Sequence, residues 1–306
     1  MKYYDIPGCA LRLPCLGMGC MRMSVKTVDE VEKLLHCAIE LGINFFDHAD
    51  IYGNGEAEIV FGKALKQSSI MRKDIIIQSK CGIRNGAGYD LSQKYILSSV
   101  DGILKRLQVE RLDFLLLHRP DALWEPDEIA EAFDQLHDSG KVRYFGVSNQ
   151  NAFQMDVLQS AIGHKLMVSQ MQFSIAHSQM IDSGLYVNLS QEGAVNRDGG
   201  LLDYCRKNEI LMQAWSPLQY GFFEGSFINS PLYPGLNQVL LRLAHEKKVD
   251  SAAIALAWLL RNTISVQPII GTMNMNHLKE AARAAEVELT REEWYEIYCA
   301  AEKQLP

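Results

Sequence analysis

Four side chains able to move a proton follow directly on short apolar runs within the first 120 residues. Asp47 and Tyr52 follow Ile43–Phe46, inside Asp47-His48-Ala49-Asp50-Ile51-Tyr52-Gly53. Lys80 follows Ile75–Ser79, and His118 follows Leu112–Leu117. A free Tyr phenol, with a pKa of about 10, is a weak acid at neutral pH. A nearby ammonium favours the phenolate and lowers that value, and a carboxylate holds the ammonium charged and oriented. An imidazole can hydrogen-bond a carbonyl oxygen and polarise it as negative charge develops. The set suits the protonation half of a carbonyl reduction. Singly, each side chain has an ordinary structural use, as an ion-pair partner or a satisfied core residue. Their joint occurrence at three successive run ends argues for one pocket mouth. There is no nucleophile elbow and no Ser or Cys beside a base.

The elements that must position these groups alternate along the chain. Apolar runs lie at Cys15–Gly19, Ile43–Phe46, Ile75–Ser79, Leu112–Leu117, Tyr144–Ser148, Leu166–Gln170, Ile210–Ala214 and Val266–Ile270. Most are short and continuously apolar, as parallel strands covered on both faces are. Helical patterns separate them at Thr27–Leu41, Ser92–Gln108, Pro126–Ser139, Asn151–Ala161 and Leu201–Asn208. Thr27 with Glu30 three residues on forms a capping box, and Gly42 marks the stop. Eight such alternations with right-handed crossovers predict a (β/α)8 TIM barrel, one domain over residues 1–306, with an open doubly wound sheet as the alternative. Lys2–Ile6 and Ala10–Leu13 around Pro7-Gly8 predict an N-terminal β-hairpin that plugs one end. Long loops at 173–196 and 219–234 belong to the C-terminal face, where a barrel carries its chemistry. Helices follow at Gly235–Lys247, Ser251–Asn262, Met275–Ala285 and Thr290–Ala301.

Composition narrows the function classes. The 306 residues carry 30 Lys+Arg against 37 Asp+Glu, a formal charge of −7, so no basic excess exists to neutralise nucleic-acid phosphates. With 48% hydrophobic residues the chain is too apolar for disorder. No export signal and no apolar run of membrane-spanning length occurs, so the expected location is cytoplasmic. Seven cysteines without Cys-x-x-Cys spacing suit free thiols in a reducing compartment.

Reduction also needs hydride, hence a nicotinamide or flavin. Gly86-Ala87-Gly88-Tyr89-Asp90-Leu91 lacks the third glycine of a dinucleotide fingerprint and reads better as a flexible substrate loop. Other run ends offer cofactor-like groups. Ser148, Asn149 and Gln170 suit a carboxamide, and Trp215 suits stacking on a planar ring. Ser216, Pro217 and Leu218 open a loop able to cradle a pyrophosphate. Gly271 and Thr272 precede the helix that starts at Met275, a common phosphate position.

These residues resemble the aldo-keto reductase family over nearly the whole chain. The likeness rests on Asn44-Phe45-Phe46-Asp47-His48-Ala49-Asp50-Ile51-Tyr52-Gly53, Ser79-Lys80, Leu117-His118-Arg119-Pro120-Asp121, Gly146-Val147-Ser148-Asn149 and Trp215-Ser216-Pro217-Leu218. It looks most like the bacterial YdhF-like branch. The resemblance implies a catalytic set of Asp47, Tyr52, Lys80 and His118, with Tyr52 as the acid in reduction and the base in oxidation. It implies that Ser148, Asn149 and Gln170 hold the nicotinamide carboxamide, that Trp215 stacks on its ring, and that Ser216 and Leu218 line the pyrophosphate path. Gly19, Cys20 and Met21 match the loop near the nicotinamide ribose, where Asp47 also lies.

One departure concerns the cofactor. Members that prefer NADPH often present Lys and Arg to the 2′-phosphate. Here those positions match Gly271 and His277, leaving Thr272, Asn274 and a helix N-terminus, with Glu280 matching the adenine contact. NADPH is the family expectation and NADH the alternative. His48 and Asp50 beside Asp47 and His118 invite a metal reading, but the His-x-His pair of metal-dependent barrels is missing, and no metal is expected. Arg119 and Asp121 either pair near the pocket or fix their loop. Gln219–Glu224 forms either an aromatic lid or a packed loop. The mixed loops suit a neutral or weakly polar small-molecule carbonyl. A cofactor-sensing regulatory subunit of the same family is the competing function.

Overall fold

The eight runs become eight parallel strands of a closed barrel in the computed structural model, which describes residues 1–306. In chain order they are β1 Gly17–Gly19, β2 Phe45–Asp47, β3 Ile76–Cys81, β4 Leu112–Leu117, β5 Val142–Ser148, β6 Leu166–Gln172, β7 Leu211–Trp215 and β8 Val266–Ile270. Each pairs with the next, and β8 pairs with β1 through Ile269 opposite Gly17, which closes the ring and excludes the open sheet.

The strands' period of two sorts the apolar side chains. Phe46, Ile77, Leu115, Leu117, Phe145, Val147, Met212 and Ala214 join the helices in one large core cluster. Phe45, Ile76, Phe114, Val168 and Leu211 form a separate cluster with Ile6 and Leu13 of the N-terminal hairpin. That hairpin pairs Tyr3–Asp5 with Arg12–Pro14, and the Tyr4 hydroxyl donates to the Val266 carbonyl at 2.8 Å. It therefore plugs the N-terminal end of the barrel, as its sequence predicts.

Reciprocal caps explain why several helix boundaries are readable. Thr27 with Glu30, Asn151 with Gln154 and Thr290 with Glu293 each satisfy two orphan N–H groups at a helix start. The helix Glu56–Gln67 lacks such a signal and escapes the sequence reading. Its N-cap is Gly55, in the left-handed region at φ 91° and without a side chain to cap. It still fits tightly, since a Cβ on Gly62 would lie 2.6 Å from the Leu107 carbonyl oxygen.

The segment 173–196 carries a short helix, Gln179–Leu185, held to the C-terminus by an Asp182–Lys303 ion pair of 2.7 Å. Within the loop read from Gly86–Leu91, Gly88–Tyr89 pairs with Ile83–Arg84 as a short two-stranded hairpin. The helix from Met275 ends at Ala282 and continues as a 3-10 turn over Arg283–Glu286. No helix is long and apolar enough to cross a membrane.

Candidate active site

Lys80 organises the upper end of the barrel. Its side chain is fully buried, and its Nζ donates to both Asp47 oxygens at 2.7 and 2.8 Å and to the His48 carbonyl at 2.8 Å. It also donates to the Tyr52 hydroxyl oxygen at 3.1 Å. The phenol is thus an acceptor toward Lys80, which leaves its own hydrogen free to point elsewhere. Asp47 and Gln78 are register partners on β2 and β3, and Lys80 lies two residues further along the same inner face. The His118 ring stands edge-on to Tyr52, with centroids 6.0 Å apart. The four residues singled out as a proton-transfer set therefore do converge.

Their protonation differs in one respect from the sequence expectation. Burial raises the Tyr52 pKa above its ordinary value of 10, outweighing the downward pull of Lys80, while Asp47 adds to the rise. The phenol is accordingly protonated at neutral pH. Burial alone would strip the proton from Lys80, yet Asp47 and Tyr52 reverse that and raise its pKa. Burial, followed by the Lys80 and Arg119 charges, pushes His118 well below its usual range, so the ring is neutral.

The loop carrying Tyr52 is tied to β3 by backbone bonds, His48 N–H to the Gln78 carbonyl at 2.8 Å and Asp50 N–H to the Lys80 carbonyl at 3.0 Å. Gly53, Asn54 and Gly55 then turn it through three successive left-handed residues. His48 is fully buried against Phe61, 4.4 Å between centroids, and burial lowers its pKa to about 3. Asp50 lies beside a polar cleft of about 270 Å³ lined also by Asn54, Asn85, Tyr95 and Arg106. Burial, then the neighbouring Glu58 carboxylate, raises Asp50 from 3.8 to about 7. No group of three or more His, Cys, Asp and Glu side chains is placed to hold a metal ion.

The proposed cofactor residues gather at the same mouth, several already engaged. Asn149, left-handed at φ 59°, donates to the His118 carbonyl at 3.1 Å and to the Ser148 hydroxyl at 2.8 Å. Its Oδ1 accepts from the Trp215 indole at 3.1 Å. The Ser148 hydroxyl donates to the Gln170 carbonyl at 3.0 Å. Gln170 donates its amide hydrogens to Asp47 at 3.2 Å and Gln213 at 2.8 Å. Gly19, Cys20 and Met21 end β1 and enter a 3-10 turn, with the Cys20 side chain turned into the core. Pro217 is buried, while Ser216, left-handed at φ 49°, and Leu218 are half-buried. In the last loop, the Asn274 Oδ1 caps Asn276 and His277 N–H at 2.8 and 3.4 Å. Part of that helix N-terminus is therefore satisfied by its own side chain rather than left open. His277 is exposed, and Glu280 and Thr272 are half-buried.

Three features escape linear reading. Arg22 reaches from the loop after β1 to donate to the Gly271 carbonyl at 2.8 Å, which puts a cation in a loop whose own sequence has none at the expected positions. Arg119 does not pair with Asp121. Asp121 instead accepts the Leu91 and Leu123 N–H groups at 3.0 and 2.9 Å and fixes the loops. The Arg119 guanidinium stands 6.0 Å from the Trp215 ring centroid and 5.8 Å from that of Phe222. Phe222 and Phe223, 60% and 53% exposed, both approach Trp215, which favours the aromatic-lid alternative for 219–224. The third is a set of buried glutamines, Gln78, Gln213 and Gln267, inside the barrel. A glutamine inside each of three largely apolar runs is its available signal.

Comparison with known proteins bears on the family and the fold. The model of the aldo/keto reductase family matches residues 15–302. A 6-dehydroglucose reductase of Agrobacterium fabrum is 34% identical over 280 residues, covering 89% of this chain and 87% of that protein. The oxidoreductase YdhF of Escherichia coli is 34% identical over 271 residues, covering 86% and 84%. A crystal structure of a thermostable aldo-keto reductase with the inhibitor epalrestat superposes with a TM-score of 0.78 at 26% identity, over 98% of this chain and 100% of that one.

The Asp50 environment makes a pH prediction. Its folded-state pKa of about 7 lies above the unfolded value of 3.8, so the folded state binds the proton more tightly. Between those values the unfolded chain has ionised and the folded one has not, so this residue lowers stability as pH rises through that window. Asp50→Asn removes the effect. The urea midpoint of the variant should fall less than that of the wild type between about pH 4 and about pH 7. Equal falls would contradict the assignment.

Proposed function

The chain belongs to the aldo/keto reductase family of oxidoreductases, and from that premise we propose that it is an NAD(P)H-dependent reductase of aldehydes or ketones. The observation that carries this reading is the Lys80 ammonium donating to the Tyr52 hydroxyl oxygen inside a buried Asp47 pair. That contact directs the phenol hydrogen toward the mouth, where a substrate carbonyl would sit.

The residues present fit a nicotinamide dinucleotide. Trp215 offers a half-buried indole whose N–H is already fixed by Asn149, leaving its face for a ring. Gln170 keeps its side-chain carbonyl unengaged, a suitable acceptor for a carboxamide N–H. Arg22, Thr272 and Asn274 border the last loop and can donate to phosphates. When bound, the reduced nicotinamide supplies hydride to the carbonyl carbon. Tyr52 then gives its proton to the carbonyl oxygen, and Lys80 stabilises the phenolate left behind. His118 is neutral, and its buried Nδ1 has no acceptor, which places the ring proton on Nε2 as a donor to the same oxygen. In alcohol oxidation the roles reverse, with Tyr52 as base.

Tyr52→Phe removes the transferable proton and leaves the packing. Steady-state reduction of an aldehyde panel should fall about 100-fold or more, with dinucleotide affinity within twofold of the wild type. A wild type that binds the dinucleotide but reduces no carbonyl would sink the enzyme reading and leave the regulatory one.

NADPH is the proposed cofactor, with Arg22 in place of the cations missing at Gly271 and His277. A charged hydrogen bond to phosphate is worth about 1.5–3 kcal/mol, so Arg22→Leu should weaken NADPH binding roughly 10- to 100-fold in tryptophan-fluorescence titrations and change NADH binding far less. Equal losses would assign Arg22 to the pyrophosphate shared by both and remove the basis for the preference.

The proposed substrate is a polyhydroxylated aldehyde. The likeness to 6-dehydroglucose reductases supports this, as does the Arg119 fork, which forms no ion pair and lies beside His118. Guanidinium N–H groups donate to neighbouring hydroxyl oxygens, and an apolar aldehyde cannot use them. Arg119→Leu should raise KM for glyceraldehyde about tenfold and leave that for butanal near its wild-type value. Equal changes for both would refute a hydroxyl-reading role.

A further inference from the structure

The mid-level of the barrel interior is lined with amides, which is unusual for a space filled elsewhere by apolar side chains. Gln170, Gln213 and Gln267 are direct register neighbours on β6, β7 and β8, and Asp47 and Gln78 are register neighbours on β2 and β3. Register thus makes one row of Gln170, Gln213 and Gln267 and another of Asp47 and Gln78, and hydrogen bonds from Gln78 to Gln213 and from Gln170 to Asp47 join the two. Gln78, Gln213 and Gln267 are completely buried.

The hydrogen bonds among them run outward from Gln78 in two arms, one to Asp47 and one through Gln213 and Gln267. The Gln78 amide nitrogen donates to Asp47 Oδ1 at 2.6 Å and to Gln213 Oε1 at 2.7 Å. The Gln213 nitrogen donates to Gln267 Oε1 at 2.8 Å, and the Gln267 nitrogen donates to the Pro14 carbonyl in the N-terminal hairpin at 2.6 Å. Both ends of the chain are groups that only accept. The Pro14 carbonyl turns the Gln267 nitrogen toward itself and its oxygen toward Gln213. That fixes Gln213 in turn and leaves its oxygen facing Gln78 and Gln170. Any single amide flip would set two oxygens against each other. The far end of this sequence of orientations is the Asp47 carboxylate.

We propose that Gln78, Gln213 and Gln267 form a positioning relay that locks the Asp47 carboxylate on Lys80 and thereby sets the proton donor Tyr52. The inference rests on the reductase reading above. Two observations separate it from mere packing. Apolar side chains fill the layer below without any polar partner, so the space itself does not require amides. The Gln78 Oε1 is buried with no partner, a cost that stability alone gives no reason to accept. What Gln78 gains is an N–H on Asp47 Oδ1, joined there by Gln170 and Lys80, while Oδ2 faces Lys80 alone. These donors hold the carboxylate plane against rotation.

The charged and titratable groups facing Tyr52 are Lys80 from β3, Asp47 from β2, Cys20 after β1 and neutral His118 after β4. Lys80 favours the phenolate, and Asp47 and Cys20 oppose it. Removing the Gln78 N–H withdraws a positive dipole end from the Asp47 charge, so the carboxylate opposes the Tyr52 phenolate more strongly.

The test is the pH dependence of kcat for alcohol oxidation, which rises as Tyr52 becomes available as a base. Gln78→Leu should move that rise to higher pH by about half a unit or more, with KM for the alcohol and the dinucleotide Kd within twofold. Gln213→Leu, one step further away, should move it the same way by less. An unshifted profile in a folded, active Gln78→Leu protein overturns the relay, whatever happens to kcat or Tm, because a packing role would not move the profile. Should Gln78→Leu fail to fold, Gln213→Met, close in volume, decides by the same profile. No turnover in the wild type overturns the reductase reading and the relay with it. Turnover with unshifted variants overturns the relay alone.

Discussion

A buried ion pair, Lys80 with Asp47, sets the terms for the whole upper half of this barrel. Removing two charges from water costs several kcal/mol each, and their attraction offsets it only with close geometry and further hydrogen bonds. Here both conditions are met: short contacts to both carboxylate oxygens, with the His48 carbonyl and the Tyr52 hydroxyl taking the remaining ammonium hydrogens. The loop after β2 must therefore bend so that the His48 carbonyl and Tyr52 both face Lys80. Three left-handed residues behind Tyr52 make that bend, and Gly53 and Gly55 adopt it without the strain a Cβ would bring.

The barrel supplies the layering around this pair. An apolar floor of Phe45, Ile76, Phe114 and Leu211, sealed by the hairpin, excludes water from below. An amide layer lies above it, and the ionisable groups stand above that, at the strand ends. The low dielectric that strengthens Lys80–Asp47 also holds Tyr52 protonated and His118 neutral. One environment thus produces two proton-bearing neutral donors from residues of different kinds. The mouth is built differently, from half-exposed aromatics around Arg119, where a side chain can adjust to what binds.

Legibility followed the range of the interaction. Capping boxes and β-run ends depend on neighbours three or four residues away, so the helix starts at Thr27, Asn151 and Thr290 and all eight strands are readable. The helix Glu56–Gln67 is fixed by its fit against Gln93–Leu107, where Gly62 meets Leu107, and carries no local start signal. The direction of the Tyr52 pKa shift is illegible for a related reason: the nearby ammonium is visible in the chain, but the extent of burial, which outweighs it, is not.

The strands, the barrel and the four side chains at successive strand ends are legible in the linear chain, because alternation, caps and strand-end positions are local properties. It takes the folded chain to bring Arg22 to Gly271, to set Arg119 beside Trp215 and Phe222 rather than Asp121, and to join glutamines from four strands in one hydrogen-bonded network. Each of those facts depends on which strands become neighbours and in what register. Closure of the ring sets that register, and it joins residues as distant in sequence as Pro14 and Gln267.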